Sequence, residues 1–430
     1  MIYFSKKGTI VKEKREEEKA KEKRAGERRK MKSRTAKRMA AVSPSLTLAI
    51  TAKAKALKAA GENVISFGVG EPDFNTPEPI VNAAKEAMDQ GFTKYTPSSG
   101  MPALKKAICK KFQKDNNLLY TPEQVVVSNG AKHSVFNVCF ALIDEGDEVI
   151  IPAPYWLTYP EAVKVCGGVP VFVQGEKKNG FKITAEQLEK AITDKTKLLI
   201  FNSPNNPTGA VYTEEEVRAI AKVCEEKEIF VLADEIYEKL CYGGEKPFSI
   251  AACSEKMKDL TVTVNGVSKT YAMTGWRVGY LAAPQDIASA IDSFQSHATS
   301  NACSISQYAA VAALACPDED VQKMVDIYAK RRELLLRELD KIEGISYVKP
   351  DGAFYVMMVI GGVYGKSCHG RVIENSVAFS DALLETEKVA VVPGASFGAD
   401  DCVRLSYSLS EEEIVEGIRR IGAFVKKLNA

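Results

Sequence analysis

Lys269 ends a segment that begins as the apolar, β-branched run Thr261–Val264 and then turns through Asn265, Gly266, Val267 and Ser268. A lysine held just past a strand end can present its amine inward, where desolvation lowers the pKa enough for imine chemistry with a carbonyl compound. Arg277 follows eight residues later, inside Gly275–Gly279. Other strand ends carry groups suited to the same chemistry. Asp234 closes the run Val231–Ala233, and Tyr237 comes three residues on. A buried carboxylate there pairs well with a protonated ring nitrogen, and a phenol with a ring oxygen. Leu198–Phe201 leads into a turn, Asn202–Gly209, whose Asn206 offers an amide beside that oxygen. Ser128–Lys132 follows Val125–Val127 and opens a helix, so the N–H groups of Gly130 and Ala131 form an anion site reinforced by the helix dipole, with Arg277 as a second phosphate ligand. Trp156 sits in a Pro-containing loop after a strand, where a flat ring can stack on a cofactor.

Each of these has an everyday structural use. A Ser-Lys pair near an arginine is ordinarily solvated charge, an aspartate at a strand end caps the next helix, Pro and Gly make turns, and a tryptophan fills a core or an interface. Together they meet the requirements of a pyridoxal-phosphate site: an amine for the imine, a carboxylate for the pyridinium nitrogen and a cradle for the phosphate.

The elements that must position them are legible. Thr121–Gln124, Thr184–Gln187, Thr213–Glu216 and Ser410–Glu413 fit the capping box, in which a hydroxyl and a carboxylate or amide satisfy the free N–H groups of a helix start. Between them the patterning predicts strands over Val125–Val127, Glu148–Ile151, Val169–Val173, Leu198–Phe201, Phe230–Leu232 and Thr261–Val264. Strands alternating with helices imply an α/β fold whose mostly parallel sheet is covered on both faces, with ligands at the carboxyl ends of the strands. Further on, helices are expected over Val321–Leu339, Ser376–Glu387 and Glu411–Lys427. Strands are expected over Phe354–Val359, Val389–Val392 and Val403–Ser408. These read as a second α+β domain, joined by a helix near Thr47–Ala60. The expected division is a basic extension over 1–42, the first part of a small domain over 43–72, a large cofactor-binding domain over 73–320, and the rest of the small domain over 321–430.

Composition removes other classes of function. The chain has 430 residues, of which 45% are hydrophobic, and no apolar run approaches a bilayer span. Residues 1–40 hold 16 Lys/Arg against 6 Asp/Glu, leaving 42 against 50 in the body, which therefore advertises no nucleic-acid surface. The basic stretch Lys6–Arg38 reads as a disordered or solvated extension; Glu16–Glu18 is unlike a transit peptide, although targeting stays open. Ten scattered cysteines without a Cys-x-x-Cys pair, and only three histidines, give no metal spacing and fit free thiols in a reducing, cytoplasmic setting. Gly394–Gly398 has the outline of a nucleophile elbow, but no histidine follows it, and Gly68–Gly70 lacks the third glycine of a dinucleotide fingerprint.

From about Ser43 onward, seven motifs occur in family order and spacing: Gly68–Phe74, Tyr95–Gly100, Ser128–Lys132, Asn205–Gly209, Asp234–Tyr237, Ser268–Lys269 with Arg277, and Arg404–Tyr407. On these motifs the chain resembles the class I aminotransferases of the pyridoxal-phosphate fold type I group, most of all the bacterial and plant branch of aspartate aminotransferases that also holds prephenate aminotransferases. The resemblance implies a large sheet domain and a smaller α+β domain. It implies Lys269 as the covalent anchor of pyridoxal 5'-phosphate and as the proton-moving base, and Arg404 as the fork for the substrate α-carboxylate. It also implies backbone contact from Gly70, and Tyr95 reaching the phosphate in the partner subunit of a homodimer. Residues 287–301 hold no Arg or Lys for a distal carboxylate. In this branch Lys132 takes that part, and Thr47 can face the same pocket. The expected activity is ping-pong transfer between aspartate or glutamate and a 2-oxo acid such as 2-oxoglutarate, in amino acid biosynthesis. Prephenate or aromatic transamination and a carbon–sulfur β-lyase are the alternatives. A transcription regulator on this fold needs a folded DNA-binding domain that the first forty residues are too few and too polar to supply.

Overall fold

The computed structural model describes residues 34–43, 46–242 and 247–428. Its framework is a seven-stranded sheet made of β1 Val125–Ser128, β2 Glu148–Ala153, β3 Val169–Gln174, β4 Thr196–Asn202, β5 Phe230–Asp234, β6 Thr261–Gly266 and β7 Gly279–Ala282. The spatial order is β1-β7-β6-β5-β4-β2-β3. Only β7 opposes its neighbours: it pairs antiparallel with β1 and β6, while the other pairs are parallel. β1 and β6 are buried along their whole length and β5 from Val231 onward, as expected of a sheet with helices on both faces.

Register decides where the chemistry lies. Asn202 pairs with Asp234, so the last residues of β4 and β5 stand side by side at the carboxyl edge. β6 ends at Gly266, three residues before Lys269. The helix α2, Ala131–Leu142, starts just beyond β1.

A second, antiparallel sheet combines β8 Tyr355–Val359 and β9 Cys402–Ser406 with the short strands Ser346–Tyr347 and Val392–Pro393. Its core gathers Ile65 and Phe67 with residues from Met324 to Leu428, including the fully buried Phe379 and Phe424. Each such side chain contributes roughly 1.5–3 kcal/mol by leaving water. The helix α1, Leu46–Ala59, packs through Ala54 against Leu384 and Ala390. Residues near both ends of the chain thus share one apolar cluster.

Several expectations need correction. The capping box at Thr121 opens only a 3-10 turn, Pro122–Gln124, because Val125 is drawn straight into β1. The boxes at Thr184 and Thr213 start helices with both reciprocal bonds in place, whereas at Ser410 the hydroxyl accepts from the Glu413 N–H. Val389–Val392 is two strands. Val389–Ala390 pairs parallel with Ile65–Ser66, and Val392–Pro393 pairs antiparallel with β9. The reading of Lys6–Arg38 lies largely outside the described residues; Lys37–Ala41 form a 3-10 turn. Among the described residues no helix is long and apolar enough to cross a membrane, and no cluster of three His, Cys, Asp or Glu could hold a metal.

Candidate active site

A cavity of about 410 Å³ opens at the carboxyl edge of β4, β5 and β6. Gly70, Ala131, Lys132, Trp156, Asn206, Asp234, Tyr237, Lys269, Arg277 and Arg404 all line it.

At its floor, Asp234 is 3% exposed. Its Oδ2 accepts from Tyr159 Oη at 2.8 Å and its Oδ1 from the Ile236 N–H at 3.2 Å, while Asn202 Nδ2 donates to its backbone carbonyl at 2.8 Å. Burial pushes this carboxyl above the usual range, and the Tyr159 hydroxyl, the Ile236 amide and the Lys269 charge oppose that push. Tyr237 is buried and shares a hydrogen bond with Tyr355 across 3.0 Å. Asn206 is fixed through its backbone N–H, which donates to Asn202 Oδ1 at 3.0 Å.

Lys269 Nζ donates to Gly70 O at 2.6 Å. Burial is the largest influence on this amine and lowers it to about 8; Glu71 opposes the fall, and the Arg404 and Arg277 charges add to it. A lysine in this state is partly neutral near physiological pH, which both imine formation and proton abstraction require.

One end of the cavity is the start of α2. Gly130 precedes the helix with φ +88°, and Arg277 lies against it: a Cβ at Gly130 would meet Arg277 Nη2 at 2.4 Å. Arg277, itself at φ +56°, donates to Thr274 O at 2.8 Å and to Asn129 O at 3.3 Å, with no acidic partner among the described residues. The expected amide pair is shifted by one position. The Gly130 N–H already donates to Ser128 O at 2.8 Å, so the amides left without an acceptor among the described residues are those of Ala131 and Lys132. The Lys132 ammonium stands 4.9 Å over the Trp156 ring, and partial burial, then the Arg277 charge, push it below the usual lysine range.

The opposite end is Arg404, 3% exposed. Nη1 donates to Asn206 Oδ1 at 3.0 Å and Nη2 to Gly68 O at 3.2 Å; Nε has no partner among the described residues. The guanidinium lies 4.3 Å over the Tyr355 ring and 5.1 Å over Phe397. A buried cation held by neutral groups and without an acid beside it is a site for an anionic ligand.

One expected residue lies elsewhere. Tyr95 is 90% exposed and does not line the cavity. Thr47 falls within α1, but its side chain is outside the described residues. Among the cavity residues without individual signal in the sequence are Thr51 and Lys55 of α1, Tyr159 under Asp234, Tyr355 under Tyr237 and Arg404, and Asn202, which orders both Asp234 and Asn206. Only the position of Asn202 at the end of a strand candidate could have marked it.

A family model described as aminotransferase class I and II matches residues 62–421. Over 392 residues the chain is 51% identical to the aspartate aminotransferase of Bacillus subtilis strain 168, covering 91% of this chain and 99% of that one. It is 48% identical to a probable aspartate/prephenate aminotransferase of Aquifex aeolicus strain VF5, covering 91% of this chain and 98% of that one. Among solved structures, the aspartate aminotransferase from Rhizobium meliloti superposes with a TM-score of 0.90 at 42% identity, over 93% of this chain and 100% of that chain. The Thermus thermophilus aspartate aminotransferase with maleate superposes with a TM-score of 0.85 at 40% identity, over 91% of this chain and 100% of that chain.

Proposed function

The chain belongs to the aminotransferase class I and II family and is an aminotransferase. From that premise we propose that it exchanges an amino group between aspartate or glutamate and a 2-oxo acid, with pyridoxal phosphate as cofactor, in a homodimer whose subunits complete each other's sites. The carrying observation is charge. Lys55, Lys132, Lys269, Arg277 and Arg404 line a cavity whose acidic side chains are Asp234 and Glu71, and among the described residues neither Arg277 nor Arg404 has an acidic partner. Such a cavity suits a ligand with several negative charges. The Bacillus relative's name and the maleate-bound Thermus structure point to a four-carbon dicarboxylate.

The residues fit the cofactor. The Ala131 and Lys132 amides and Arg277 would hold its phosphate, and Gly130 keeps clear the space that the Arg277 guanidinium occupies. Asp234, a buried carboxyl aimed into the cavity, would pair with the ring nitrogen; Tyr237 and Asn206 would reach the ring oxygen, and Trp156 would cover a face of the ring. When bound, the group supplies a carbonyl that receives the amino group and a ring that accepts the electron pair left when the α-proton departs.

The chain's own groups do the rest. Arg404 receives the α-carboxylate through its planar fork, and Asn206 keeps that fork in place. Lys132 takes the distal carboxylate. Lys269 Nζ would lift the proton from the substrate α-carbon and deliver it to the carbon that carried the cofactor's carbonyl, a role for which an amine near 8 is suited. The exposed Tyr95 has no work within its own cavity, in keeping with a contribution to a second copy.

The test is the visible absorption of the purified protein before and after excess aspartate without an acceptor. Loss of the lysine-bound cofactor band with one oxaloacetate per site, restored by 2-oxoglutarate, is the expected result. A band that ignores aspartate and answers only to aromatic or prephenate-linked donors replaces the substrate, pyruvate release marks a lyase, and no band at all removes the cofactor assignment.

A further inference from the structure

The first residue of β8 carries a side chain that two parts of the cavity share. Tyr355 pairs with Ser406 and Met357 with Arg404, so Tyr355 and Arg404 are diagonal neighbours on one face of the second sheet. The guanidinium accordingly lies 4.3 Å over the Tyr355 ring. The far end of the same side chain meets Tyr237, three residues past β5: the two hydroxyl oxygens are 3.0 Å apart and the rings stand at 80°. Tyr355 is 1% exposed, and the Gly70 backbone passes so close that a Cβ there would stand 3.3 Å from its hydroxyl. Among the described residues neither hydroxyl has another hydrogen-bond partner. Each has one proton to give, and a buried donor needs an acceptor. If Tyr237 gives its proton to a group in the cavity, Tyr355 must donate to Tyr237.

We propose that Tyr355 is a positioning residue with two separate tasks: its hydroxyl donates to Tyr237 and turns the Tyr237 proton toward the cofactor's ring oxygen, and its ring face seats the Arg404 fork. The assignment rests on the aminotransferase reading of this cavity, in which Tyr237 reaches that oxygen and Arg404 the α-carboxylate. A hydroxyl that itself receives a hydrogen bond is a stronger donor. A stronger donor favours the negative form of the ring oxygen, and so keeps low the pH at which the lysine-bound cofactor band changes. The charged groups around the two phenols are Asp234, Glu71, Arg404 and Lys269, whose Nζ lies 5.8 Å over the Tyr237 ring. Substituting Tyr355 removes none of them.

The experiment reads the two tasks apart. The cofactor band of the full, cofactor-loaded protein is followed across a range of pH, and maleate is titrated into it by calorimetry. Tyr355→Phe keeps the ring and loses the hydroxyl: its band midpoint should rise by about half a pH unit, with maleate affinity near the parent value. Tyr355→Leu loses both, and should add to that rise a roughly 10-fold weaker affinity for maleate. Tyr355→Met stands in if the leucine variant does not fold. A midpoint in Tyr355→Phe equal to the parent protein's overturns the hydroxyl task. Maleate bound as tightly by Tyr355→Leu, or its stand-in, as by Tyr355→Phe overturns the ring task. A parent protein that shows no cofactor band or ignores maleate overturns the functional reading instead, a failure seen before any variant is made.

Discussion

At the α2 end of the cavity, Ser128–Lys132 provide a strand end, a turn and two unfilled helix amides within a single short stretch, and Arg277 is the one distant contribution. At the other end, Arg404 meets Asn206 across 198 positions and Gly68 across 336. The first end is a local motif whose geometry follows from helix initiation. The second exists only because two sheets pack together, and its cation is held by neutral dipoles and aromatic faces. On the proposed reading, the phosphate grip and the α-carboxylate fork rest on separable structure, the former largely on local backbone and the latter on one long-range side chain.

The sharpest way to break that separation is Arg404→Lys. An ammonium cannot reproduce the two-pronged contact, so kcat/KM should fall about 100-fold for aspartate and by a similar factor for alanine, with the cofactor spectrum unchanged. Steady-state kinetics beside absorbance check this, and cofactor loss in that variant would merge the two ends. Gly130→Ala is the complementary change. It places a Cβ 2.4 Å from Arg277 Nη2 at φ +88°, so the cofactor dissociation constant should rise about 10-fold while KM for aspartate in the saturated enzyme stays near the parent value. Lys132→Gln should sharpen the substrate side: a rise of about 5-fold in KM for aspartate and little change for alanine or phenylalanine. Equal effects on all three would remove the distal-carboxylate role.

The smallest effect concerns the support beneath both ends. Glu235 is buried beside Asp234. Its Oε1 accepts from Ser249 at 2.6 Å, and its Oε2 has no partner among the described residues. Burial, then the Glu238 charge, push it up to about 8, although Glu238 is itself paired with Lys111. Because the folded value lies above the unfolded one, the folded state holds the proton more tightly. Stability is therefore full below the unfolded value and is lost as pH rises toward 8. Glu235→Gln cannot ionise and should resist urea better above that pH, by on the order of 1 kcal/mol, with the gain vanishing near the unfolded carboxyl value. Unfolding midpoints at acid and alkaline pH measure it.

Much of this was legible because the groups follow strand ends, and strand ends announce themselves by apolar runs breaking into Gly, Asn or Pro. Asp234 and Lys269 were placed that way, and so was the start of α2 as a candidate anion site. The offset at Gly130 was not: whether an N–H is free depends on the local bond to Ser128 O, which composition does not encode. The antiparallel setting of β7 was equally hidden, since a short apolar strand reads the same in either direction. Tyr159 and Tyr355 escaped notice because each looks like a core aromatic, and their hydroxyls acquire a purpose only through neighbours 75 and 118 positions away.

The bond from Arg404 to Gly68 has a consequence for the order of events during synthesis. It closes a loop of 336 positions. Bringing such distant partners together carries a high entropic cost and comes late. Every residue of the α2 end has left the ribosome long before residue 404 is made. On the proposed reading, a growing chain has its own groups for a phosphate well before it has Arg404, and an incomplete chain that captures cofactor would do so without a carboxylate fork.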